Sequence, residues 1–240
     1  MSVSSPAPVH VLSGASSDIG AAIARKLAGS GRAVLALGRN RERLHELERS
    51  HPGRVAARVL DLTNEDSLQA LAHELAAVGP GIAALIHCAG VYFTGGVESG
   101  PPDELDRMYQ VNVRAPYRLT QLLLPGLARS AGRVLFINST AALRAPAGLG
   151  GYCASRHSLR ALADSLRDEV NARGILVTSI YLGRTATRHM AGIFQAERRP
   201  YRPELLLQPD DVADSVLYVL GLPPRAEVMD LTIRPALKSY

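Results

Sequence analysis

Short runs of β-branched and aliphatic residues alternate along the chain with longer stretches whose apolar positions recur at helical spacing. The runs fall at about 9–13, 33–37, 55–60, 84–87, 134–138, 176–181 and 229–233 and predict seven strands. Most are continuously apolar rather than alternating, the pattern of strands covered on both faces. Between them, 19–27, 41–49, 66–77, 105–127, 153–172 and 210–220 carry the helical period. The stretch 105–127 is expected to be two helices broken near 112–116, and Asn64 and Pro209 stand at plausible helix starts. Strand and helix alternating in this way predict an α/β domain with a doubly wound, parallel, seven-stranded sheet. The strand-to-strand spacing uses the whole chain, so residues 1–240 are read as one domain. The long connection 184–208, rich in Arg, Pro and Gln, is either a mobile lid or a set of short helices over a site, and the lid is favoured.

Composition narrows the class. With 47% hydrophobic and 20% charged residues, the 240-residue chain is an ordinary globular one. No apolar run reaches the roughly 18 residues of a membrane span. Residues 1–8 carry no basic cluster followed by an apolar stretch, so no secretory signal and no membrane partner are expected, and the cytoplasm is the expected compartment. The net charge of +5 is scattered among glutamates and aromatics are only 5%, which argues against a nucleic-acid partner. Only Lys26 and Lys238 are lysines, so 25 of the 27 basic residues are arginine and a single arginine carries little information. Cys88 and Cys153 are too few for a disulfide framework and read as small buried hydrophobes.

The first strand runs into Ser13-Gly14-Ala15-Ser16-Ser17-Asp18-Ile19-Gly20, which opens a helix. Gly14 suits the tight turn, Gly20 suits close helix–strand packing, and the N–H groups around Ser16 to Ile19 suit a pyrophosphate at the positive end of the helix. After the second strand stand Gly38-Arg39-Asn40, where an acidic residue would meet a ribose 2′-hydroxyl; an arginine suits a 2′-phosphate and points to NADP(H) over NAD. The plainer alternative for Arg39 is a solvated charge at a helix start. Ser139 follows the fifth strand, Tyr152 lies 13 residues on, and Arg156 is one helical turn beyond it. All three are expected to converge beside a nicotinamide at the carboxyl ends of the strands.

These residues, with others in the same order, make the chain resemble the short-chain dehydrogenase/reductase family over nearly its full length. The further matches are Asp61-Leu62 after the third strand, His87-Cys88-Ala89-Gly90 (similar to the family's Asn-Asn-Ala-Gly), Asn112, and Leu182-Gly183-Arg184-Thr185-Ala186-Thr187 (similar to Pro-Gly-x-x-x-Thr). The resemblance implies a Rossmann-like fold and hydride transfer between NADP(H) and a small carbonyl or secondary alcohol. It implies Tyr152 as general acid/base, Ser139 on the substrate oxygen and Asn112 in a water-linked proton path. It further implies Asp61 near adenine, Ala89 and Gly90 along the ribose, and Gly183, Thr185 and Thr187 around the nicotinamide. Paired helices at 105–127 and 153–172 would give a homodimer or homotetramer.

Three departures qualify it. The family's Tyr-x-x-x-Lys is Tyr152-Cys153-Ala154-Ser155-Arg156 here; arginine keeps the cation that lowers a tyrosine pKa but does not relay a proton. Asp18 replaces the middle glycine of the turn, where it can cap the helix but sets a negative charge beside the phosphates. Leu182 replaces a proline. Two other readings therefore stand beside the oxidoreductase: a non-redox cyclase or dehydratase on this scaffold, and a cofactor-binding regulatory protein. Of the remaining candidates, His87 reads as a core histidine, His157 and His189 lack metal-ligand spacing, Tyr92 and Tyr181 read as packing with a possible substrate contact, and residues 94–96 read as a turn or substrate loop.

Overall fold

The computed structural model describes residues 7–77 and 81–237, so most of the amino-terminal stretch read above for a signal, and Lys238, lie outside the described residues. The seven apolar runs become strands β1 (Val9–Ser13), β2 (Val34–Gly38), β3 (Val55–Val59), β4 (Ile82–His87), β5 (Arg133–Ser139), β6 (Leu176–Leu182) and β7 (Asp230–Ile233). All pair in parallel, in the order β3-β2-β1-β4-β5-β6-β7. The helices are α1 (Asp18–Gly29), α2 (Arg41–Ser50), α3 (Glu65–Ala77), α4 (Pro102–Tyr109), α5 (Ala115–Arg129), α6 (Gly150–Val170), α7 (Arg188–Ala196) and α8 (Pro209–Gly221).

Side chains of the inner strands alternate between two cores, which is why these sequences are largely apolar, whereas edge strand β7 leaves Asp230 and Thr232 exposed. Leu12, Val34, Ala36, Leu135 and Ile137 pack with α1, α2 and α8 through Ile23, Leu27, Leu44, Val212 and Val216. Val11, Leu35, Leu37, Val134 and Phe136 pack on the other face with α3, α5 and α6 through Leu68, Leu71, Leu119, Leu123 and Leu159. β1 feeds its neighbour β2 on one side while β4 returns to its other side, so a crevice opens past the carboxyl ends of β1 and β4 where the winding reverses.

Two local expectations change. The 105–127 stretch does not break: α4 passes into α5 through a π turn at Gln110–Arg114, closed by Ala115 N donating to Gln110 O. Pro116 falls just after the π turn in the first turn of α5 and is absorbed there without ending the helix. The extra residue of the π turn directs Asn112 fully into the interior. The connection 184–208 takes the second of its two expected forms, short helices: it holds α7 and a 3₁₀ turn at Pro203–Leu205, and its ends meet through a parallel bridge of Thr185 with Leu207. Asn64 does accept from Ser67 N at 2.8 Å, and Pro209 does open α8. Among the described residues no helix is long and apolar enough to cross a membrane.

Candidate functional site

The turn after β1 leaves no room for side chains at two places. Gly14 has φ +69°, and a Cβ there would lie 2.6 Å from the backbone nitrogen of Ala89. A Cβ on Gly20 would strike the carbonyl oxygen of Gly14. The turn therefore presses against the strand end that carries Ala89, with Ser13 Oγ accepting from Cys88 N (3.2 Å) and Ala89 N (3.4 Å). Ser16 lies over Gly38 at the end of β2, where a Cβ would come within 2.8 Å of its Oγ.

Ser17, not Asp18, caps α1: its Oγ accepts from Gly20 N at 2.9 Å, and Ile19 follows within the first turn. Asp18 reaches out instead. One carboxylate oxygen accepts from Arg43 Nη2 (2.8 Å) and from Arg188 Nε (3.1 Å) and Nη2 (2.7 Å), while the other accepts from Arg188 N (2.8 Å). Burial pushes this carboxyl up, but the hydrogen bonds from Arg188 and Arg43 outweigh it and hold the pKa down at about 2.

Past β2 and β3, Arg39 is exposed and Asn40 caps α2 by accepting from Arg43 N at 3.0 Å. Asp61 accepts from Thr63 N (2.9 Å) and Thr63 Oγ1 (2.8 Å); these bonds, helped by the charge of Arg39, hold its carboxyl below the usual range. Leu62 packs against the core beneath. Arg39, Asp61 and Thr63 line a cavity of about 680 Å³ with Arg107, Gln110, Val111 and Arg114. Arg107 is paired with Glu104 (2.7 Å), but Arg39 and Arg114 still outnumber Asp61 and make this an anion-seeking hollow. Arg43, Arg107, Arg114 and Arg188 were not legible as site residues, because arginine is common throughout the chain. The usable signal was spacing: Arg107 and Arg114 are seven apart, two helical turns on one face.

β5 and α6 bring Ser139, Tyr152 and Arg156 to the same crevice. Ser139 ends β5 and accepts from Ala141 N through Oγ at 3.1 Å. Asn138 ties this strand end to α6, accepting from Ser139 N (2.8 Å) and donating to Arg156 O (3.2 Å). The Arg156 guanidinium carbon is 5.1 Å from the Tyr152 ring centroid, and the residue is only 7% exposed. Its Nη2 fills the space over Gly90 that any Cβ would occupy. Its Nε and Nη1 are buried without a hydrogen-bond partner, and among the described residues Ser179 Oγ is the only other such atom. Asn112 accepts from Val91 N (2.8 Å) and donates to Val91 O (2.9 Å) and Ser155 Oγ (3.1 Å), joining the loop after β4, the π turn and α6.

On the far side of Tyr152 the ring of Tyr92 stands edge-on at 4.8 Å, and His189 of α7 stands edge-on to Tyr92 at 5.7 Å. Burial lowers the His189 pKa, so its imidazole is neutral at pH 7. Tyr92 thus lies at the site, whereas Tyr181 is buried and donates to Asp230 at 3.1 Å. Residues 94–96 dock on the loop before α6, with Thr94 Oγ1 and Gly95 N both donating to Gly148 O.

Leu182 continues β6 by one pair, opposite Ser139, where a proline would have no N–H for the ladder. Gly183 N then donates to Ile233 O at 2.8 Å, and a Cβ on Gly183 would lie 2.9 Å from Pro235. Thr185 is buried and donates to Gly183 O. Thr187 caps α7 by accepting from Met190 N at 3.0 Å. His87 stacks on Phe136 at 4.9 Å and hydrogen-bonds Thr120 Oγ1 at 2.8 Å; burial lowers its pKa to about 3, the state of a core histidine. His157 is exposed and bonds Cys153 O. Both cysteines are free, and burial pushes the Cys88 thiol up to about 11.

The family model described as short chain dehydrogenase matches residues 8–198. An uncharacterized oxidoreductase of Staphylococcus epidermidis is 29% identical over 230 residues, covering 95% of this chain and 96% of that one. The glycine betaine reductase of Emericella nidulans is 33% identical over 237 residues; the match covers 95% of this chain, which spans 18% of that relative's length. Among solved structures, the closed form of a serine dehydrogenase complexed with NADP+ superposes with a TM-score of 0.87 at 26% identity, covering 97% of this chain and 96% of the other. A metagenomic short-chain oxidoreductase in complex with NADP gives 0.82 at 29%, covering 99% and 100%.

Proposed function

We infer that this chain, which belongs to the short-chain dehydrogenase family, is an NADP(H)-dependent oxidoreductase that interconverts a small carbonyl compound and a secondary alcohol by hydride transfer. The observation that carries the reading is the buried Arg156 guanidinium, stacked on Tyr152 with two donors unpartnered. A buried cation without acceptors is costly to the folded chain, and hydroxyl oxygens of a bound ribose would satisfy it.

The residues present fit the cofactor. The close approaches at Gly14 and Gly20 draw the turn tightly against the strand end that carries Ala89, and Gly90 makes room for the Arg156 guanidinium. Ser16, Ser17, Ile19 and the neighbouring amides then face the cofactor's diphosphate, and the hollow lined by Arg39 and Asp61, next in sequence to Asn40 and Leu62, takes the adenosine 2′-phosphate end. Ala89, Gly90, Gly183, Thr185 and Thr187 border the nicotinamide end, and two similar structures hold NADP+ or NADP. The nicotinamide, when bound, supplies or accepts the hydride.

The chain's own groups do the rest. Tyr152 gives its phenolic proton to the nascent alkoxide, or takes it back in oxidation. Arg156 stabilises the tyrosinate through its fixed charge, since a guanidinium stays protonated and does not pass a proton. Ser139 Oγ holds the substrate oxygen. Asn112 fixes the Val91 backbone beside the site and organises the path by which Tyr152 is reprotonated from water. The segment 184–208 serves as the lid, and Tyr92 and His189 form an aromatic wall on the substrate side.

The proposed assembly is a homodimer or homotetramer through α4, α5 and α6, supported by exposed Leu105, Tyr109 and Tyr117 on that side. A cytoplasmic setting accords with two unpaired cysteines. The deciding experiment follows the reduced-cofactor absorbance of NADPH with a panel of small ketones and aldehydes, for wild type and Tyr152→Phe. Oxidation of NADPH by the wild type, slowed about 10²–10⁴-fold in the variant, is expected; a carbonyl compound consumed by the wild type with NADPH bound and its absorbance flat, or equal rates in the two proteins, would overturn the reading.

A further inference from the structure

Two helix starts converge on one carboxylate. α1 does not need Asp18, because Ser17 already caps it. α7 has its own cap as well, Thr187 on Met190 N, but the N–H of its first residue, Arg188, is left over and goes to Asp18 across 170 positions of sequence. The same carboxylate takes the Arg188 side chain through both Nε and Nη2, and Arg43 of α2 besides. Both oxygens are therefore engaged, by donors from two other helices, α2 and α7.

The exposures are unequal. The Asp18 side chain is 22% exposed and that of Arg188 67%, so the acid is the fixed inner partner and the arginine the outer one, free to turn. Two positive charges face one negative charge at the mouth of the glycine turn, which a diphosphate with two negative charges would match better than a single carboxylate. Asp18 holds the place of that anion and also repels it.

We propose that Asp18 is a built-in counter-anion that docks α7 on the phosphate turn, and that a dinucleotide's diphosphate must displace it from Arg43 and Arg188 to bind. Asp18 is thus a positioning residue that couples the start of the segment 184–208 to cofactor occupancy. Without cofactor the carboxylate keeps α7 closed over the turn; with cofactor the phosphates take over the two guanidinium groups. The displacement rests on the NADP(H) reading above, whereas the docking of α7 does not.

Hydrogen exchange separates the two. In the cofactor-free protein, amides of Arg188–Ala196 are expected to exchange about tenfold faster in Asp18→Ala than in wild type, with Asp18→Asn and Arg188→Gln moving in the same direction. NADPH should restore protection to Asp18→Ala and should bind it about three- to tenfold more tightly than wild type at low salt, with a steeper loss of affinity as salt rises. Arg188→Gln, which keeps the acid and loses one phosphate partner, should bind NADPH more weakly. Unchanged α7 exchange in the folded Asp18 variants overturns the docking, and weaker NADPH binding by Asp18→Ala overturns the displacement. If NADPH binds none of the proteins, the cofactor reading and the displacement both fail, and α7 exchange alone decides the docking.

Discussion

Arg156 follows Tyr152 by one helical turn of α6 and lies against its ring at 5.1 Å, buried, with Nε and Nη1 unpartnered. The pair is an electrostatic unit bounded on three sides: Gly90 leaves it space, the Asn138 side chain fixes the Arg156 carbonyl, and the Asn112 side chain fixes Ser155 beside it. Arginine here retains the charge of the usual lysine and gives up its labile proton.

If that charge is what Tyr152 needs, Arg156→Lys should keep kcat for NADPH-dependent reduction within about tenfold of wild type, and Arg156→Met should lose about 10²–10⁴-fold. A methionine variant with wild-type rate would remove Arg156 from the mechanism.

Arg39 stands free beside the hollow at the end of β2 while its neighbour Asn40 is committed to capping α2. Arg39→Ala is expected to weaken NADPH binding by about tenfold or more and leave NADH within about threefold. Fluorescence titration of both nucleotides checks this; equal losses for the two would place the 2′-phosphate elsewhere.

Asn112 makes three buried hydrogen bonds, two of them to the Val91 backbone. Asn112→Ala leaves Val91 N–H and C=O without partners and should destabilise the chain by about 2–4 kcal/mol, read as a lower urea midpoint. Asn112→Asp should fall between the two, since it retains the acceptor for Val91 N.

His87 binds a proton in the unfolded chain below about 6.5 and in the folded chain only below about 3. Between those values the unfolded state holds the extra proton, so unfolding free energy should fall as pH drops, by about 1.4 kcal/mol per unit. His10, lowered to about 4 chiefly by burial, adds to the slope over the upper part of the window. Urea midpoints from pH 7 to pH 4 measure it, and His87→Asn should flatten the curve without moving its pH 7 end far.

The strands were legible because burial on both faces leaves a sequence mark that nothing on the surface imitates; β1 falls on the expected residues and the others within two of theirs. The glycine turn was legible for a related reason, since Gly14 and Gly20 answer to backbone contacts rather than to a ligand. The π turn was not, because Asn112 to Pro116 looks like a break when only local propensity is read. Nor was the Asp18–Arg188 contact, whose partners are 170 residues apart in a chain where arginine is everywhere. Arg156 could be placed by spacing, but its lack of partners belongs to packing alone.

A π turn is one residue more than the helix requires. Excising a residue from Gln110–Arg114 would let α4 and α5 run as one α-helix, at the cost of turning α4 about 100° against α5. Met108 would leave the core, and the Val91 backbone would lose the amide that holds it. The segment is therefore protected by its length as much as by its letters: it should accept changes of side chain at exposed Gln110 far more readily than a single deletion, and a library of one-residue deletions would show a gap there that substitution scanning does not reveal.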